Sequence, residues 1–411
     1  MKICCLEYDY STFNGGAATY NRETAKFFNK HKDVFEVDFV QYEPIEKENT
    51  ALKTFNVNDV DMEAYDFVIH GMVNCVKRPT DEILELLISL KQPRTIFLDH
   101  DRYPVHRTFW GQKKKARSAM ACDFVITFNP FMYDLFDEFN EETVGYKRVY
   151  EYNTWLNYRD ISDMPEPKPL ADRTFDVMYQ ARIAPKKGSD TFLEFATKMK
   201  NICLPVHLWG EYEVFQIFGF TGMPAEIGCK THPSVFTQIH KSPDKIIYNT
   251  PASFVKLNKF ENDVSKVYEN FSNAKVTWAA YKVSKQNRET NLKMHPGFEG
   301  GQLEALAAGT ILICNGLQRK LELCGQTFEE WDCCFFIDDN DTDQLIEDIK
   351  AADLQEKYDN LLKFREIIFN DDNFIDGWLS ILSPMTYLPK AKTKVIEEST
   401  FKELKAINEQ A

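Results

Sequence analysis

Residues 295–314 read HPGFEGGQLEALAAGTILIC and carry the clearest structural signal in this chain of 411 residues. Paired glycines precede a short apolar helix pattern, and an apolar run, Thr310–Cys314, follows it directly. The small residues Ala305, Ala307, Ala308 and Gly309 let such a helix lie close to that strand. The stretch therefore predicts a helix over residues 299–308 and then a buried strand, which together form the repeating element of an α/β domain.

The same alternation fills the rest of the second half of the chain. Strand patterns lie at Phe175–Gln180, Pro205–Gly210, Lys245–Tyr248, Lys275–Ala280, Thr310–Cys314 and Cys333–Ile337. Helix patterns lie at Ser189–Met199, Asp263–Phe271, Glu299–Ala308 and Asp343–Ala351. Strands that alternate with helices predict βαβ units and a parallel sheet.

The first half of the chain repeats this organisation. Its strand patterns are Lys2–Tyr8, Phe35–Gln41, Asp66–Val73, Arg94–Asp101, Asp123–Phe128 and Lys147–Tyr152. Its helix patterns are Tyr20–Asn29, Thr80–Lys91, Lys113–Ala121 and Pro130–Phe139. Between the halves, Ile161–Arg173 holds three prolines and few large apolar residues, a composition typical of a linker.

These patterns predict an α/β protein made of two doubly wound, Rossmann-like domains that face each other across a cleft. We expect the first domain to span residues 1–160 and the second to span residues 174–368. An amphipathic pattern around residues 370–385 is expected to complete the first domain. Residues 386–411 then form a charged C-terminal extension.

Composition narrows the function classes. Lys and Arg number 49 against 63 Asp and Glu, so the net charge is -14 and non-specific nucleic-acid binding is disfavoured, although a local basic groove remains open. The ten cysteines are scattered without a C-x-x-C pair, which argues against a zinc site and predicts buried thiols in a reducing cytoplasm. No targeting segment or apolar run of membrane-spanning length occurs, so we expect a soluble protein with no membrane partner.

The carboxyl ends of parallel strands are where α/β proteins bind ligands, so the polar residues that follow each strand are the candidates for a site. The strand pattern that begins at Arg94 ends in Asp99, His100 and Asp101. His100 and Asp101 suit proton transfer or hydroxyl binding. Helix capping by these acids together with ordinary surface charge is the structural alternative.

The main basic segment follows at once. This segment has no acidic residue and contains aromatic residues among its cations, which are Arg102, Arg107, Lys113, Lys114, Lys115 and Arg117. Such residues contact phosphates and stack on bases in nucleic-acid grooves. A solvated helix face would also explain them.

Two further elements suit an anionic ligand. Gly15 and Gly16 precede a helix pattern, where backbone N–H groups can approach a phosphate, although an ordinary strand-to-helix turn needs the same residues. In the second domain, Arg182 ends a strand pattern and Lys187 opens the next helix pattern. Two cations placed there could stabilise a diphosphate leaving group without a metal ion.

Glu299 and Glu304 form the last candidate pair, because carboxylates accept hydrogen bonds from sugar hydroxyls. A surface pair or a helix cap is the alternative for either one alone.

The Arg182/Lys187 element followed by the Glu299–Glu304 segment resembles the donor domain of retaining GT-B glycosyltransferases. Many members carry the first Glu where this chain has Pro296, and the Glu299 spacing is similar to that of phage DNA α-glucosyltransferases. The resemblance to those phage enzymes extends over about residues 1–385. It includes the segments His100-Asp101, Gly210-Glu211 and Val283–Asn287.

The resemblance implies transfer of glucose or arabinose from UDP-glucose or UDP-arabinose to 5-hydroxymethylcytosine in double-stranded phage DNA, which would protect that DNA from nucleases. It assigns donor binding to Gly15, Gly16, Arg182, Lys187, Gly210, Glu211, Glu299, Gly300, Gly301 and Glu304. It assigns catalysis to His100, Asp101, Arg182, Lys187 and Glu299, with no metal required. It also implies a base flipped out of the duplex, a monomer, and action inside an infected bacterium.

Three other functions fit parts of the sequence. A GT-B glycosyltransferase for a surface polysaccharide, lipid or protein acceptor would keep the same donor chemistry, and the acidic charge favours it. A binding module without catalysis would not need the Arg182 and Lys187 cations. A nicotinamide dehydrogenase is disfavoured because no G-x-G-x-x-G follows the first strand pattern.

Overall fold

The computed structural model describes most of both halves of the chain. The described residues are 1–6, 16–42, 54–71, 81–99, 117–127, 148–162, 164–180, 188, 191–192, 194–195, 198, 206–209, 238–241, 246–249, 255–258, 264–280, 298 and 300–390. They form two compact units. The first unit comprises Met1–Asp160, Lys293–Pro296 and Asp371–Ala411, and the second comprises Ile161–Leu292 and Gly297–Asn370.

The first unit is built on a parallel sheet of seven strands. In chain order they are β1 (Lys2–Leu6), β2 (Glu36–Gln41), β3 (Thr54–Asn56), β4 (Phe67–Gly71), β5 (Arg94–Asp99), β6 (Phe124–Thr127) and β7 (Val149–Glu151). The spatial order is β3-β2-β1-β4-β5-β6-β7, and every pair is parallel. Because the sheet is covered on both faces, its central strands are almost wholly apolar, as in β1, which reads KICCL.

Helices α1 (Gly16–Lys30), α2 (Asp81–Ser89) and α7 (Asp371–Tyr387) belong to this unit. On α7, the apolar residues Phe374, Trp378, Ile381, Leu382 and Met385 recur at helical spacing and join the same core as β1 and α1. A side chain at Gly377 would collide with Cβ of Trp155, so only glycine allows α7 to approach that close. The end of the chain thereby supplies part of the core around its beginning.

The second unit has a main sheet of six parallel strands. They are β8 (Phe175–Gln180), β9 (Val206–Trp209), β12 (Val255–Asn258), β13 (Ala274–Trp278), β14 (Ile311–Asn315) and β17 (Cys334–Ile337). The spatial order is β12-β9-β8-β13-β14-β17. Four helices are described in full in this unit: α3 (Val264–Ser272), α4 (Gly300–Ala307), α5 (Thr342–Ala351) and α6 (Leu354–Ile368).

The α/β class with two parallel sheets is confirmed, and most strands and helices lie where the sequence patterns place them. One assignment is wrong. The strand pattern Lys245–Tyr248 forms β11 (Ile246–Asn249), which pairs antiparallel with β10 (Gln238–Lys241) instead of joining the main sheet. Its place at the sheet edge is taken by β12. Two short strands, β15 (Glu322–Leu323) and β16 (Gln326–Thr327), form a second small hairpin.

The proline-rich segment Ile161–Arg173 is anchored to the second unit near its C-terminal end, where Leu170 and Arg173 are buried. It contains a 3-10 turn at Leu170–Asp172, and it ends in Arg173, which is buried. The Arg173 guanidinium donates hydrogen bonds to the carbonyl of Lys168 and, across the unit, to the carbonyl of Ala274 at 2.7 Å. The buried arginine attaches the segment to the second unit.

Candidate functional site

Both main sheets reverse their strand order at one point, and ligands of open α/β sheets bind beside that switch point, at the carboxyl ends of the strands. In the second unit the switch point lies between β8 and β13, which are neighbours and parallel. In the first unit it lies between β1 and β4. The residues that follow these strands are therefore where a functional site is expected.

Gly188 lies at the switch point of the second unit. Its φ of +71° requires glycine, and an added Cβ would collide with the carbonyl oxygen of Ala280. That same carbonyl accepts a hydrogen bond from the Trp278 indole at 3.1 Å. The helical turn that begins with Phe192 N–H donating to the Gly188 carbonyl thus starts directly beside the end of β13.

Helix α4 begins at the same edge of the sheet. Gln302, in its first turn, is fully buried and donates from Nε2 to the carbonyl of Ala279, just beyond β13, at 3.3 Å. It also pairs reciprocally with Gln318, with amide-to-amide distances of 2.9 and 3.2 Å. A buried amide pair whose donors are satisfied fixes the start of α4 against the ends of β13 and β14.

The far end of α4 is held just as firmly. Gly309 has φ of +69°, its N–H donates to the Leu306 carbonyl, and Thr310 N–H donates to the Ala305 carbonyl, a Schellman cap. Two arginines complete the end: Arg173 donates to the Ala308 carbonyl at 3.3 Å, and Arg365 donates to the Ala307 carbonyl at 2.8 Å. Cations at a helix C-terminus also interact favourably with the helix dipole.

These contacts position the predicted donor-binding residues that lie on α4. Gly300 and Gly301 are the first two residues of the helix, and Glu304 is half-buried one turn later. Because helix side chains tilt toward the N-terminus, we expect the Glu304 side chain to lie over the turn that precedes it, on the side of the glycines. The unpaired backbone N–H groups of the first turn lie at the same end of the helix.

The structure describes only part of the predicted site. Gly16 is the first residue of α1 and Arg117 is helical, with its guanidinium 2.5 Å from Asp81 Oδ1. Since Asp81 is largely exposed, that ion pair contributes little to stability. The remaining predicted residues lie outside the described residues: Gly15, His100, Asp101, Arg102, Arg107, Lys113, Lys114, Lys115, Arg182, Lys187, Gly210, Glu211 and Glu299.

Strand β5 nevertheless fixes the residue that precedes His100. Asp99 is the last residue of β5, is buried, and accepts a hydrogen bond from the Thr127 hydroxyl at 3.0 Å. Thr127 ends β6, and the two residues are register partners. The backbone that leads into the predicted His100-Asp101 pair is therefore anchored at the carboxyl edge of the first sheet.

Sequence reasoning missed His70, which precedes Gly71, the last residue of β4, at the switch point of the first unit. Its side chain is buried, and burial lowers its pKa from 6.5 to about 4. A histidine at the end of an apolar strand pattern was the available signal. Arg173 was also missed, because its hydrogen-bond partners come from three separate segments of the second unit.

The described residues contain no cluster of three or more potential metal-ligating side chains and no helix long and apolar enough to span a membrane. Six of the seven described cysteines are buried, and Cys324 is exposed. Burial raises the pKa of the Cys4 thiol, which therefore stays protonated and unreactive.

Comparison with solved structures identifies the fold. No family profile and no curated protein matches the sequence. Among solved structures, the chain is similar to an α-glucosyltransferase in complex with UDP-glucose and DNA containing an abasic site: TM-score 0.64, 16% identity, 93% of this chain and 99% of that one. The same type of enzyme with UDP and a 13-mer DNA containing an HMU base gives a TM-score of 0.62 at 15% identity, with the same coverage. A glycosyltransferase from Rickettsia africae gives a TM-score of 0.52 at 12% identity, covering 94% of this chain and 98% of that one. These likenesses establish the GT-B fold.

Proposed function

We propose that this protein is a retaining GT-B glycosyltransferase that moves glucose or arabinose from a UDP-sugar to 5-hydroxymethylcytosine in double-stranded DNA. The observation that carries the proposal is the position of α4. The Gln302–Gln318 pair holds its glycine start at the carboxyl edge of the second sheet, and Arg173 binds the opposite end of the helix. The DNA acceptor is supported by the α-glucosyltransferases of the same fold, which are bound to DNA together with UDP or UDP-glucose.

The donor occupies the second unit in this proposal. Glu304 accepts hydrogen bonds from the ribose hydroxyls, and Glu299 accepts hydrogen bonds from hydroxyls of the transferred sugar. Arg182 and Lys187 stabilise the negative charge that develops on the diphosphate, with N–H groups near Gly15 assisting. Because these cations supply the neutralising charge, we expect transfer to continue in the presence of EDTA.

The acceptor base leaves the duplex so that its hydroxymethyl group can reach the anomeric carbon. Asp101 or His100 orients that hydroxyl. The bond from the anomeric carbon to the phosphate oxygen breaks, the bond to the hydroxymethyl oxygen forms on the same face, and the leaving phosphate takes the proton. Arg102, Arg107, Lys113, Lys114, Lys115 and Arg117 contact DNA phosphates around the flipped base.

The test measures UDP release from UDP-glucose and UDP-arabinose with four acceptors: hydroxymethylated duplex, unmodified duplex, a bacterial surface polysaccharide, and none. We expect release that depends on hydroxymethylated DNA. Release stimulated by the polysaccharide instead would replace the DNA acceptor with a glycan. Release that no acceptor stimulates would overturn transferase activity toward both.

A pair of variants ties the result to α4. Glu304→Gln removes the charge that accepts ribose hydroxyls, so we expect donor affinity to fall by at least about tenfold. Glu347→Gln changes a carboxylate of the same unit whose side chain is 68% exposed and pairs with Lys350, so donor affinity should stay unchanged. Equal losses in both variants would remove Glu304 from the donor site.

A further inference from the structure

The second turn of helix α1 carries an arginine that the proposed mechanism does not use. Arg22 is half-buried, and its Nη2 donates a hydrogen bond to the Thr19 hydroxyl, one turn closer to the helix start, at 3.2 Å. Helix side chains tilt toward the N-terminus, and this bond is consistent with that direction. A guanidinium has five N–H donors, so Arg22 keeps donors for a further partner.

A second arginine lies buried close to the first. Arg159 is 3% exposed, its Nη1 donates to the Tyr158 carbonyl at 3.1 Å, and its Nε has no hydrogen-bond partner. Within the part of the chain that the structure describes, neither Arg159 nor Arg22 forms an ion pair with a carboxylate. Buried charges in proteins are normally paired, so two neighbouring guanidinium groups without an acid call for an anion.

The chain that follows β7 brings the two arginines together. The backbone N–H of Asp160 donates to Glu23 Oε2 at 2.9 Å, which fixes this segment against the second turn of α1. Arg159 and Arg22 each directly precede one member of that pair. The pKa of Arg22 is consistent with their proximity: burial lowers it, Glu23 raises it, and the charge of Arg159 lowers it further.

The nearby acids do not cancel the positive charge. Both oxygens of Glu23 are engaged, because Oε2 accepts from Asp160 N–H and Oε1 lies 3.0 Å from the Lys26 ammonium. With the Asp160 carboxylate included, three cations accompany two acids. The first turn of α1 contains no acidic residue, although acids there interact favourably with the positive end of the helix dipole.

The exposed part of this cluster suits a phosphate. The planar fork of an arginine matches a phosphate bidentately, and N–H groups at a helix start also bind phosphates. Arg22 is the member that a ligand can reach, since it is half-buried while Arg159 is enclosed. The Arg159 charge acts through the electrostatic potential at Arg22, and burial makes that effect less screened by salt.

We infer that Arg22 binds a phosphate group of a ligand and that the buried charge of Arg159 strengthens this binding. The inference rests on the proposed function, which brings two sources of phosphate to the protein: the DNA backbone and the diphosphate of the UDP-sugar. Both sources present the same chemistry to a guanidinium. Arg22 is then a binding residue beyond the cations that the sequence pattern indicates.

The experiment compares two variants that remove the same charge. Arg22→Gln changes the proposed contact. Lys32→Gln is the matched control, because Lys32 is exposed and lies ten residues further along, about 15 Å away at the helical rise, which exceeds the Debye length at physiological salt. Each protein is titrated with UDP, with uridine, and with a labelled duplex containing 5-hydroxymethylcytosine at several salt concentrations.

A contact with DNA predicts duplex binding about tenfold weaker in Arg22→Gln, a salt slope lower by about one, and unchanged UDP binding. A contact with the nucleotide predicts UDP binding about tenfold weaker and unchanged binding of uridine, which lacks the phosphates. Either result supports the inference if Lys32→Gln binds like the unaltered protein. Equal affinities for UDP and for DNA in the two variants would overturn it.

Two additions separate the possible causes of failure. Arg22→Lys keeps the charge without the fork, so it should retain part of the affinity, which a general loss of folded protein would not allow. If the unaltered protein binds neither UDP nor hydroxymethylated DNA, the proposed function fails, and pyrophosphate then tests the site by the rise in Tm that it causes. In that case we expect a smaller rise in Arg22→Gln than in Lys32→Gln, and equal rises would overturn the inference.

Discussion

Replacing Arg173 with Met should destabilise the second unit strongly, because this one side chain joins several segments. Its guanidinium donates to the carbonyls of Lys168, Ala274 and Ala308 and to the Thr310 hydroxyl, at distances of 2.7 to 3.3 Å. It also lies over the Tyr358 ring, 5.1 Å from the centroid. Burial lowers the pKa of Arg173, yet an arginine stays charged, so the carbonyls are its essential partners.

The expected loss follows from the groups that the substitution leaves behind. Methionine fills part of the volume but removes the arginine donor from two buried carbonyl oxygens, those of Ala274 and Ala308, and each unpaired buried acceptor costs about 1–3 kcal/mol. The Lys168 carbonyl keeps the Tyr358 hydroxyl as a donor. Partial access of water reduces that sum, so we expect about 3–5 kcal/mol, the usual range when one member of a buried charged network is removed. For a slope of about 2 kcal/mol per molar urea, the midpoint falls by about 2 M.

The assay is urea unfolding read by pulsed hydrogen exchange and mass spectrometry, which reports peptides of the second unit separately from those of the first. The matched control is Arg319→Met, in the same unit. Arg319 pairs with Glu329 and Asp338 at 2.6 Å each, but the two acids are mostly exposed, so its loss should cost under about 1 kcal/mol. Arg173→Lys keeps the charge but loses the planar fork, and it should fall between the two.

The same variant reports on the site, because Arg173 holds the C-terminal end of α4. In urea-free buffer, where Arg173→Met remains folded, we expect weaker UDP-sugar binding than in Arg319→Met. If the two methionine variants show equal midpoints, the buried network is not what holds the segment and α4 in place, and the reasoning is refuted.

Three further results are expected. Gly309→Ala places a Cβ 2.5 Å from Pro167 at a φ of +69°, and we expect it to lower the free energy of unfolding in urea by about 2–4 kcal/mol. The control Gly325→Ala has a φ of +83° but no atom within 4 Å of the new Cβ, so it should cost only about 1 kcal/mol of backbone strain. Equal losses in the two variants would contradict close packing at Gly309. Burial lowers the pKa of His70 from 6.5 in the unfolded chain to about 4 in the folded protein, so the free energy of unfolding should be greatest above pH 6.5 and fall by up to roughly 3 kcal/mol as the pH drops toward 4. The urea midpoint of His70→Phe should therefore depend less on pH in this window than that of the unaltered protein. An equal pH dependence in the two proteins would contradict the burial of a neutral His70. Arg107→Ala should weaken DNA binding and lower the salt slope of log K by about one without altering donor hydrolysis, and an unchanged slope would remove Arg107 from the DNA groove.

The sequence was sufficient to predict the repeating strand and helix elements of the two parallel sheets. Strands such as β1 and β14 are short apolar runs because helices cover both faces of a parallel sheet, and that pattern is visible without coordinates. The edges were harder to predict. β3 and β12 are three and four residues long and polar in part, and an edge strand has only one neighbour to define it.

The candidate site also contains residues that the sequence predicts and residues that only the structure reveals. The helix that carries Gly300, Gly301 and Glu304 could be predicted from the sequence, and their role in donor binding stays a prediction. Gln302 lies in the same stretch, but its role depends on Gln318, sixteen residues later, and on the Ala279 carbonyl. Arg173 lay in a segment whose composition predicts a linker, and only its buried partners reveal its role.

The central claim is the transfer of a sugar to hydroxymethylated DNA, and the mass of the product nucleoside tests it most directly. Duplex DNA containing cytosine or 5-hydroxymethylcytosine is incubated with the protein and a panel of UDP-hexoses and UDP-pentoses, then digested and analysed by mass spectrometry. We predict a gain of one sugar on 5-hydroxymethylcytosine alone, with the size of the gain distinguishing a pentose from a hexose. No gain on DNA with any donor, while the protein still binds UDP-sugars, would contradict the claim and assign the acceptor to another class of molecule.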